Sequence, residues 1–338
     1  LDEFLKLPHQ EAREIGAQIG ESRLTVADFS HLPTRCKFIA FMPQWDFLDF
    51  LARHAKRRST FRLVVDCEVT TLIERQGRVA GARARTRDGE LEVEASLTVG
   101  ADGRHSVVRA SAGLRIKNLG APMDVLWLRL SKRAGDPSQS FGRFDAGRVL
   151  IQIDRGDYWQ CAFVIVKDSF DAIHDRGLDA LRQEIARLAP HLADRVGELK
   201  AWDDVKLLTV AVDRLERWWK PGLLCIGDAA HAMSPVGGVG INLAIQDAVA
   251  AANLLHEPLS LGRVSPADLD RVQRRRERPT RLTQRLQVTA QDRVLAPLLA
   301  AKGKVSPPLP LRLLKWFPYL RRIPARVIGL GFRPEHIR

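Results

Sequence analysis

Two acids in this chain stand where a short apolar run ends and a glycine adjoins. Asp228 follows "GLLCIG" (Gly222–Gly227), and Asp102 closes "SLTVGAD" and precedes Gly103. Runs of this length and composition read as buried strands. A carboxylate at a strand's carboxyl end can accept hydrogen bonds from ligand hydroxyls, as in dinucleotide folds. Beyond Asp228, Gly237, Gly238 and Gly240 precede a run in which Ile241, Ala244, Ile245, Ala248, Ala252 and Leu255 recur at helical spacing. Glycines remove the side chains that would keep a ligand off the backbone. First-turn N–H groups of a helix are unpaired and the dipole is positive there, which favours an anionic or electron-rich group. Strand, acid and bare helix terminus together predict a ligand site. Two such acids, separated by a β-rich insertion, suit an extended ligand with several hydroxyls.

The elements that must position these residues are legible in outline. Residues 1–20 read as an amphipathic helix, and Pro43–Arg58 as another with Phe47, Leu48, Leu51 and Ala55 on one face. Strands follow at "RLVVDCEVTTLIE", "RVAGARART", "ELEVEA" and "SLTVGAD", with "RQGR" and "RDGE" as turns between them. "ADGRHSVVRASAG" is a strand end, a glycine turn and a short helix. From about Met123, "MDVLWLRLS", "GRVLIQID" and "YWQCAFVIV" are longer strands rich in β-branched and aromatic residues, with a helix at Leu178–Pro190. They predict an antiparallel layer inserted between two parts of a first domain. "VKLLTVAVD" leads back to the glycine-rich motif. Beyond Arg263 the chain reads as mostly helical, broken at "SPPLP" (Ser306–Pro310).

In order and spacing the chain resembles the FAD-dependent aromatic hydroxylases, the p-hydroxybenzoate hydroxylase-like flavoprotein monooxygenases. "VGADGRHSVVR" is similar to the second flavin motif of that family and "CIGDAAHAMSPVGGVGINLAIQDA" to its third. The resemblance implies an α/β fold: a Rossmann-like FAD domain of the glutathione-reductase-like type, interrupted by an antiparallel substrate sheet. It divides the chain into residues 1–118, the first part of the FAD domain; 119–204, the substrate sheet; 205–262, the second part; and 263–338, a basic helical segment. It further implies that Asp228, with Gly227 in the turn before it, binds the ribityl hydroxyls of FAD. Pro235, Gly237, Gly238, Gly240, Ile241 and Asn242 wrap the pyrimidine side of the isoalloxazine. Asp102 and Gly103 lie by the pyrophosphate and are linked to NAD(P)H, Gln44 contacts the cofactor, and Val69 offers backbone atoms to the adenine. The implied chemistry is NAD(P)H reduction of FAD, addition of O₂ at C4a, and oxygen transfer from the hydroperoxide to an electron-rich substrate. Trp127, Phe163 and Trp159 on the inserted sheet suit an aromatic, polyketide or quinone-like molecule, or else form ordinary sheet core.

The family opens with a βαβ unit carrying GxGxxG, and that motif does not occur in these 338 residues. The expectation is a chain lacking that first unit, of roughly 60 residues. The alternatives are a reductase or oxidase on the same fold, or a remnant that does not bind FAD. Catalytic residues are not identified: no acid–base dyad stands out, and His231 reads as a histidine packed behind the flavin loop. The four cysteines lack metal-ligand spacing and read as buried, reduced thiols of a cytosolic protein, with no metal site.

Hydrophobic and charged contents of 45% and 28% are those of a soluble globular protein, and no apolar run approaches the ~20 residues of a membrane span. The net charge of +13 is unevenly spread: residues 263–338 hold 18 Lys+Arg against 5 Asp+Glu, an excess equal to that of the whole chain. Without a nucleic-acid-binding motif or stacking aromatics between the basic residues, nucleic acid is not an expected partner. "RRRER" (Arg274–Arg278) is expected to face water. The tail "PLPLRLLKWFPYLRRIPARVIGLGF" interleaves apolar residues with Lys315, Arg321, Arg322 and Arg326, a pattern open to contact with an anionic membrane surface. The expected location is cytoplasmic, peripheral to a membrane if that contact forms. The expected partners are a small-molecule substrate and O₂, with a homodimer open.

Overall fold

The computed structural model describes residues 1–137 and 140–338. The chain divides into two compact units: Leu1–Arg62, Pro122–Val210 and Thr289–Gly329 in the first; Leu63–Ala121, Ala211–Val288 and Leu330–Arg338 in the second.

The first unit is built on a seven-stranded sheet. Its order is Lys206–Leu208, Met123–Ser131, Tyr158–Val166, Arg148–Asp154, Phe141–Asp145, Glu14–Ile19, Ser22–Asp28. All neighbours are antiparallel except Phe141–Asp145 with Glu14–Ile19. Strand periodicity sends Leu126, Leu128, Leu130, Leu150, Trp159, Cys161 and Phe163 to one face, where they pack on Leu181, Ile185 and Leu188 of the helix Leu178–Leu188. The opposite face buries Met123, Val125, Val149 and Val164, and the short helix Ala296–Ala300 touches its two central strands.

The N-terminal reading is corrected. Only Asp2–Leu5 is helical; Gln10–Ala12 and Glu14–Ile19 are strands. Pro8 cannot donate to a helix ladder, and from Glu14 the pattern alternates, with Ala17 and Ile19 buried against Leu24 of the next strand. Residues 1–62 therefore belong with the large sheet, and the stretch 1–118 is divided at Arg62. A second correction concerns the sheet aromatics. Trp159 and Phe163 lie in the helix-backed core, whereas Trp127, opposite Ala162, points to the other face, so the three cannot line one pocket.

The second unit holds a small sheet in which Thr98–Gly100 and Leu223–Cys225 are parallel and Trp219–Lys220 is antiparallel to the latter. A meander of Glu68–Arg75, Arg78–Thr86 and Gly89–Glu94 stands beside it in sequence; Leu63–Val65, expected as strand, lie outside it and are exposed. The core gathers Val108, Trp218, Leu223, Leu224, Cys225, Ala251, Leu255, Leu269 and Val272. Burial pushes the Cys161 and Cys225 thiols up to about 12, so both stay protonated. The helix Gly240–Ser260 is long and apolar enough to cross a membrane, yet Leu243, Ala250, Ala251 and Leu255 are buried within this unit. Helix Pro266–Ala290 follows and runs through Pro279.

Candidate functional site

Parallel pairing sets Gly100 opposite Cys225, so the chain leaves both strands at the same end of the small sheet. That places Asp102 and Asp228 after neighbouring strand ends, although 126 residues of sequence separate them. In open α/β sheets this is the end where ligands bind.

The two acids then differ. The Asp102 carboxylate accepts from Ser106 Oγ at 2.5 Å and from the Val108 N–H at 3.0 Å, while Ser106 Oγ accepts from the Arg109 N–H at 2.9 Å. Ser106 thus caps the short helix Val107–Ser111, Asp102 braces that cap and the Val108 N–H, and Gly103 at φ +84° makes the turn. Among the described residues no hydrogen bond reaches the Asp228 carboxylate. Its charged neighbour is Arg104, with Nη2 3.6 Å from Oδ2, and Arg104 Nη1 is buried with no partner. An open acceptor and an orphaned donor therefore adjoin each other, as a hydroxylated ligand requires.

The glycine-rich entrance completes this front. Gly237 and Gly238 have φ of +81° and +62°, and a Cβ on Gly238 would meet nothing within 4 Å. Both are exposed beside Pro235. The helix starts at Gly240 after Val239, which supplies no side-chain cap, so its first N–H groups lack a side-chain acceptor. Ile241 and Ile245 face outward, 44% and 40% exposed, with Asn242 half-buried between them. Of the apolar run that recurs at helical spacing only Leu255 lies on the buried stripe, which is otherwise Leu243, Asp247, Ala250 and Ala251.

Behind the front lies a buried polar network. Asp247, with no exposed surface, accepts from the Gly227 N–H at 3.1 Å, meets His231 Nε2 at 2.5 Å, and accepts from Arg276 Nε at 2.9 Å. Arg276 also donates to the Arg333 carbonyl at 3.2 Å and lies 3.5 Å from Glu335, which pairs with Arg275 at 2.6 Å. Burial raises the Asp247 carboxyl, but His231 and Arg276 outweigh it and hold the group below the usual carboxylate range. Gly227, at φ +58°, is fixed by this contact and by the helix: a Cβ there would lie 3.0 Å from the Ala244 Cβ. Gln284 Nε2 donates to the carbonyls of Asp213 and Ala232, and Gln287 Nε2 to those of Ser234 and Val236. The carbonyls of Asp213, Ala232, Ser234 and Val236 are thus all held by side chains of one helix.

Sequence reasoning missed Asp247, Arg276, Gln284 and Gln287. Asp247 carried a signal, an acid inside an apolar helical stripe. Arg276 carried none, and the expectation that "RRRER" faces water is corrected there: Arg276 is fully buried. His231 is buried against Trp218, ring centroids 4.9 Å apart, the packed position expected of it. Gln44 opens the helix Gln44–Ala55 in the first unit and is exposed. Val69 lies on the meander's edge strand, its side chain against the core of the second unit.

Residues 2–286 match the family model described as "FAD binding domain", and the chain belongs to that family. Among curated proteins it is 34% identical over 281 residues to 6-methylpretetramide 4-monooxygenase of Streptomyces rimosus, covering 82% of this chain and 66% of that one. It is 30% identical over 178 residues to dialkyldecalin synthase of Streptomyces rugosporus, covering 50% and 36%. The chain thus spans less than two thirds of either relative. Its mixed α/β fold matches the crystal structure of PqsL, a probable FAD-dependent monooxygenase from Pseudomonas aeruginosa, with TM-score 0.73, 18% identity and coverage of 89% and 83%. It also matches the OxyS anhydrotetracycline hydroxylase of Streptomyces rimosus, with TM-score 0.70, 22% identity and coverage of 95% and 62%.

Proposed function

Starting from a chain of the FAD-binding domain family, we propose that it serves an NAD(P)H-dependent monooxygenase hydroxylating an aromatic or polyketide-like small molecule. One observation carries the reading: Asp228 and Arg104 keep unused hydrogen-bonding capacity beside a bare glycine helix entrance, while Gly227 behind that entrance is held by the network around Asp247. The donor set fits FAD. Asp228 would accept from ribityl hydroxyls. The backbone at Pro235, Gly237, Gly238 and Gly240, with Ile241 and Asn242, would lie along the isoalloxazine, whose reduced, anionic form the helix N-terminus favours. Gly227 positions Asp228, and Asp102 acts by holding the second motif in place. We assign Gln44 and Val69 their family contacts as part of the same proposal. Bound FAD would supply the redox chemistry: NAD(P)H, a proton, O₂ and substrate C–H give NAD(P)⁺, water and the hydroxylated product.

No GxGxxG occurs in these residues, so the proposal rests FAD contact on the ribityl and isoalloxazine sides. The second unit's parallel pair is read as part of a dinucleotide-binding sheet, and the first unit's sheet as the substrate layer. Support for the substrate class comes from the relatives' names, 6-methylpretetramide and anhydrotetracycline. The test is FAD retention by Asp228→Ala against the parent, with a chain extended by a GxGxxG βαβ unit as a second arm. The reading predicts flavin loss on substitution in any chain that binds it; undiminished stoichiometric FAD would overturn the placement. One O₂ consumed per hydroxylated product separates a monooxygenase from a reductase or oxidase.

For location we propose the cytoplasm, with the C-terminal segment able to lie on an anionic membrane. Between residues 293 and 334 there are nine Lys and Arg and no Asp or Glu. Leu309, Trp316, Tyr319 and Ile323 are each more than half exposed beside Arg312, Lys315, Arg322 and Arg326. Salt-sensitive sedimentation with phosphatidylserine vesicles, absent with neutral ones, is the expected result.

A further inference from the structure

The segment Leu330–Arg338 belongs to the second unit, and side chains of two helices strap it down. Gln246 Nε2, on helix Gly240–Ser260, donates to the Leu330 carbonyl at 3.5 Å. Seven residues on along the same helix, the Asn253 amide uses both its edges. Its Nδ2 donates to the His336 carbonyl at 2.8 Å, and its Oδ1 accepts from the Arg338 N–H at 3.2 Å. Between these ties Glu335 turns inward, its side chain 5% exposed. Arg275 of helix Pro266–Ala290 holds it with a fork, Nε to Oε1 at 2.6 Å and Nη2 to Oε2 at 3.0 Å. Arg276, the next residue of that helix, sets Nη1 3.5 Å from the same Oε1.

All three nitrogens of the Arg276 guanidinium have partners. Nη1 donates to the Arg333 carbonyl at 3.2 Å and faces Glu335, Nη2 donates to Gln246 Oε1 at 3.3 Å, and Nε donates to Asp247 Oδ1 at 2.9 Å. The group is planar and its donors keep a fixed geometry, so contacts at the outer nitrogens set the direction of Nε. Asp247 then divides its two oxygens. Arg276 takes Oδ1, while the Gly227 N–H and His231 Nε2 meet Oδ2 at 3.1 and 2.5 Å. Asp228 is the next residue. The two amides before Gly227 are held differently: the Cys225 N–H donates to the Trp218 carbonyl at 2.7 Å and the Ile226 N–H to the Gly100 carbonyl at 2.9 Å. Those two report on the backbone of the sheet, and the Gly227 N–H reports on Asp247.

We propose that Glu335 is a positioning residue for the Gly227–Asp228 turn: by orienting Arg276 it keeps Asp247 where Oδ2 receives the Gly227 N–H. The strapped segment is therefore a working part of the turn. Its bearing on flavin rests on the reading of Asp228 given above; its action on the turn does not.

The test is hydrogen exchange of the flavin-free chain, with the glycine, isoleucine and cysteine amides resolved by NMR. Local opening sets the protection of each amide. Glu335→Gln keeps the shape of the side chain and removes its charge. It should lower Gly227 protection about tenfold or more, as weakening a hydrogen bond to a charged group does, while Cys225 and Ile226 keep the protection of the parent. Glu335→Asp, which restores the charge, should recover part of the loss. Asn253 is half-buried at the outer end of the segment, so Asn253→Ala gives a folded variant even if Glu335→Gln does not. It should lower Gly227 protection in the same direction by a smaller factor. Unchanged Gly227 protection in either variant would remove the relay and overturn the proposal. A fall shared equally by Cys225, Ile226 and Gly227 would overturn it too, by making Glu335 a contributor to the stability of the unit alone. The measurement contains no flavin, so it can fail while the Asp228→Ala test succeeds, and the reverse.

Discussion

The front and the back of the turn at Gly227 and Asp228 are a few residues apart in sequence and opposite in character. At the back, Asp247 has three donors and no exposure, and Arg276 shares its charge between Asp247 and Glu335. At the front, Asp228 has one cation beyond hydrogen-bond distance, and Arg104 keeps a buried nitrogen unpartnered. A folded chain satisfies nearly all its buried polar groups internally. Where the carboxylate on one side of a turn has three donors and the one on the other side, among the described residues, has none, the open side is where a ligand completes the set. The back is a matter of stability and the front of binding, and substitutions should separate the two.

The largest effect is expected at the back. Asp247→Ala leaves Arg276 buried with Glu335, at 3.5 Å, as its remaining carboxylate, and breaking a buried pair costs about 3–5 kcal/mol; urea unfolding should show this with or without flavin. The pair Asp247→Leu with Arg276→Met should recover much of the loss, since both charges go together. The same carboxylate sets an acid limit. Its folded-state pKa is depressed, so its contribution is present above the unfolded value near 3.8 and is lost as pH falls below it. Asp136, held well below the usual range by the Arg195 hydrogen bond against the effect of burial, adds the same sign. Unfolding free energy measured from pH 6 down to pH 2 should fall through the lower part of that window. A flat profile would contradict the assignment of both pairs.

At the front, Asp228→Ala should leave stability within about 0.5 kcal/mol of the parent, as surface changes do. Each hydroxyl bond lost to a charged acceptor weakens flavin binding by about 1.5–3 kcal/mol; fluorescence titration reads it. If this substitution unfolds the chain, front and back are not separable. The smallest effect is expected at Asp102. Loss of a side-chain acceptor at a helix's first turn costs about 1 kcal/mol, so Asp102→Ala should lower the melting temperature slightly and change flavin affinity less than Asp228→Ala. A larger effect on binding than on stability would move Asp102 from scaffold to ligand contact.

How far these roles could be read in advance differs by residue. The two strand-end acids and the glycine entrance were legible because they depend on local chemistry: strand, turn and helix start each have a residue signature. The strands Arg78–Thr86, Met123–Ser131 and Tyr158–Val166 occur with the bounds their patterns predict. Residues 1–20 misled, because a charged stretch with scattered apolar residues fits a helical period loosely. The alternation from Glu14 to Ile19 gains meaning only when paired with Ser22–Asp28 and Phe141–Asp145.

The sequence alone determined which short segments could make strands, where a helix would begin without side chains, and which acids stood at strand ends. Those features are fixed within a few residues of the chain. Only the tertiary structure decided that Asp102 is spent on its own helix, that Asp228 is left open, and that one arginine of five consecutive charged residues is buried. The burial of Arg276 depends on Asp247, 29 residues away, the openness of Asp228 on what does not reach it, and the capture of Asp102 on the turn that brings Ser106 and Val108 back to it. Burial and hydrogen bonding are properties of what surrounds a side chain, and neighbours in space are set by packing rather than by order along the chain.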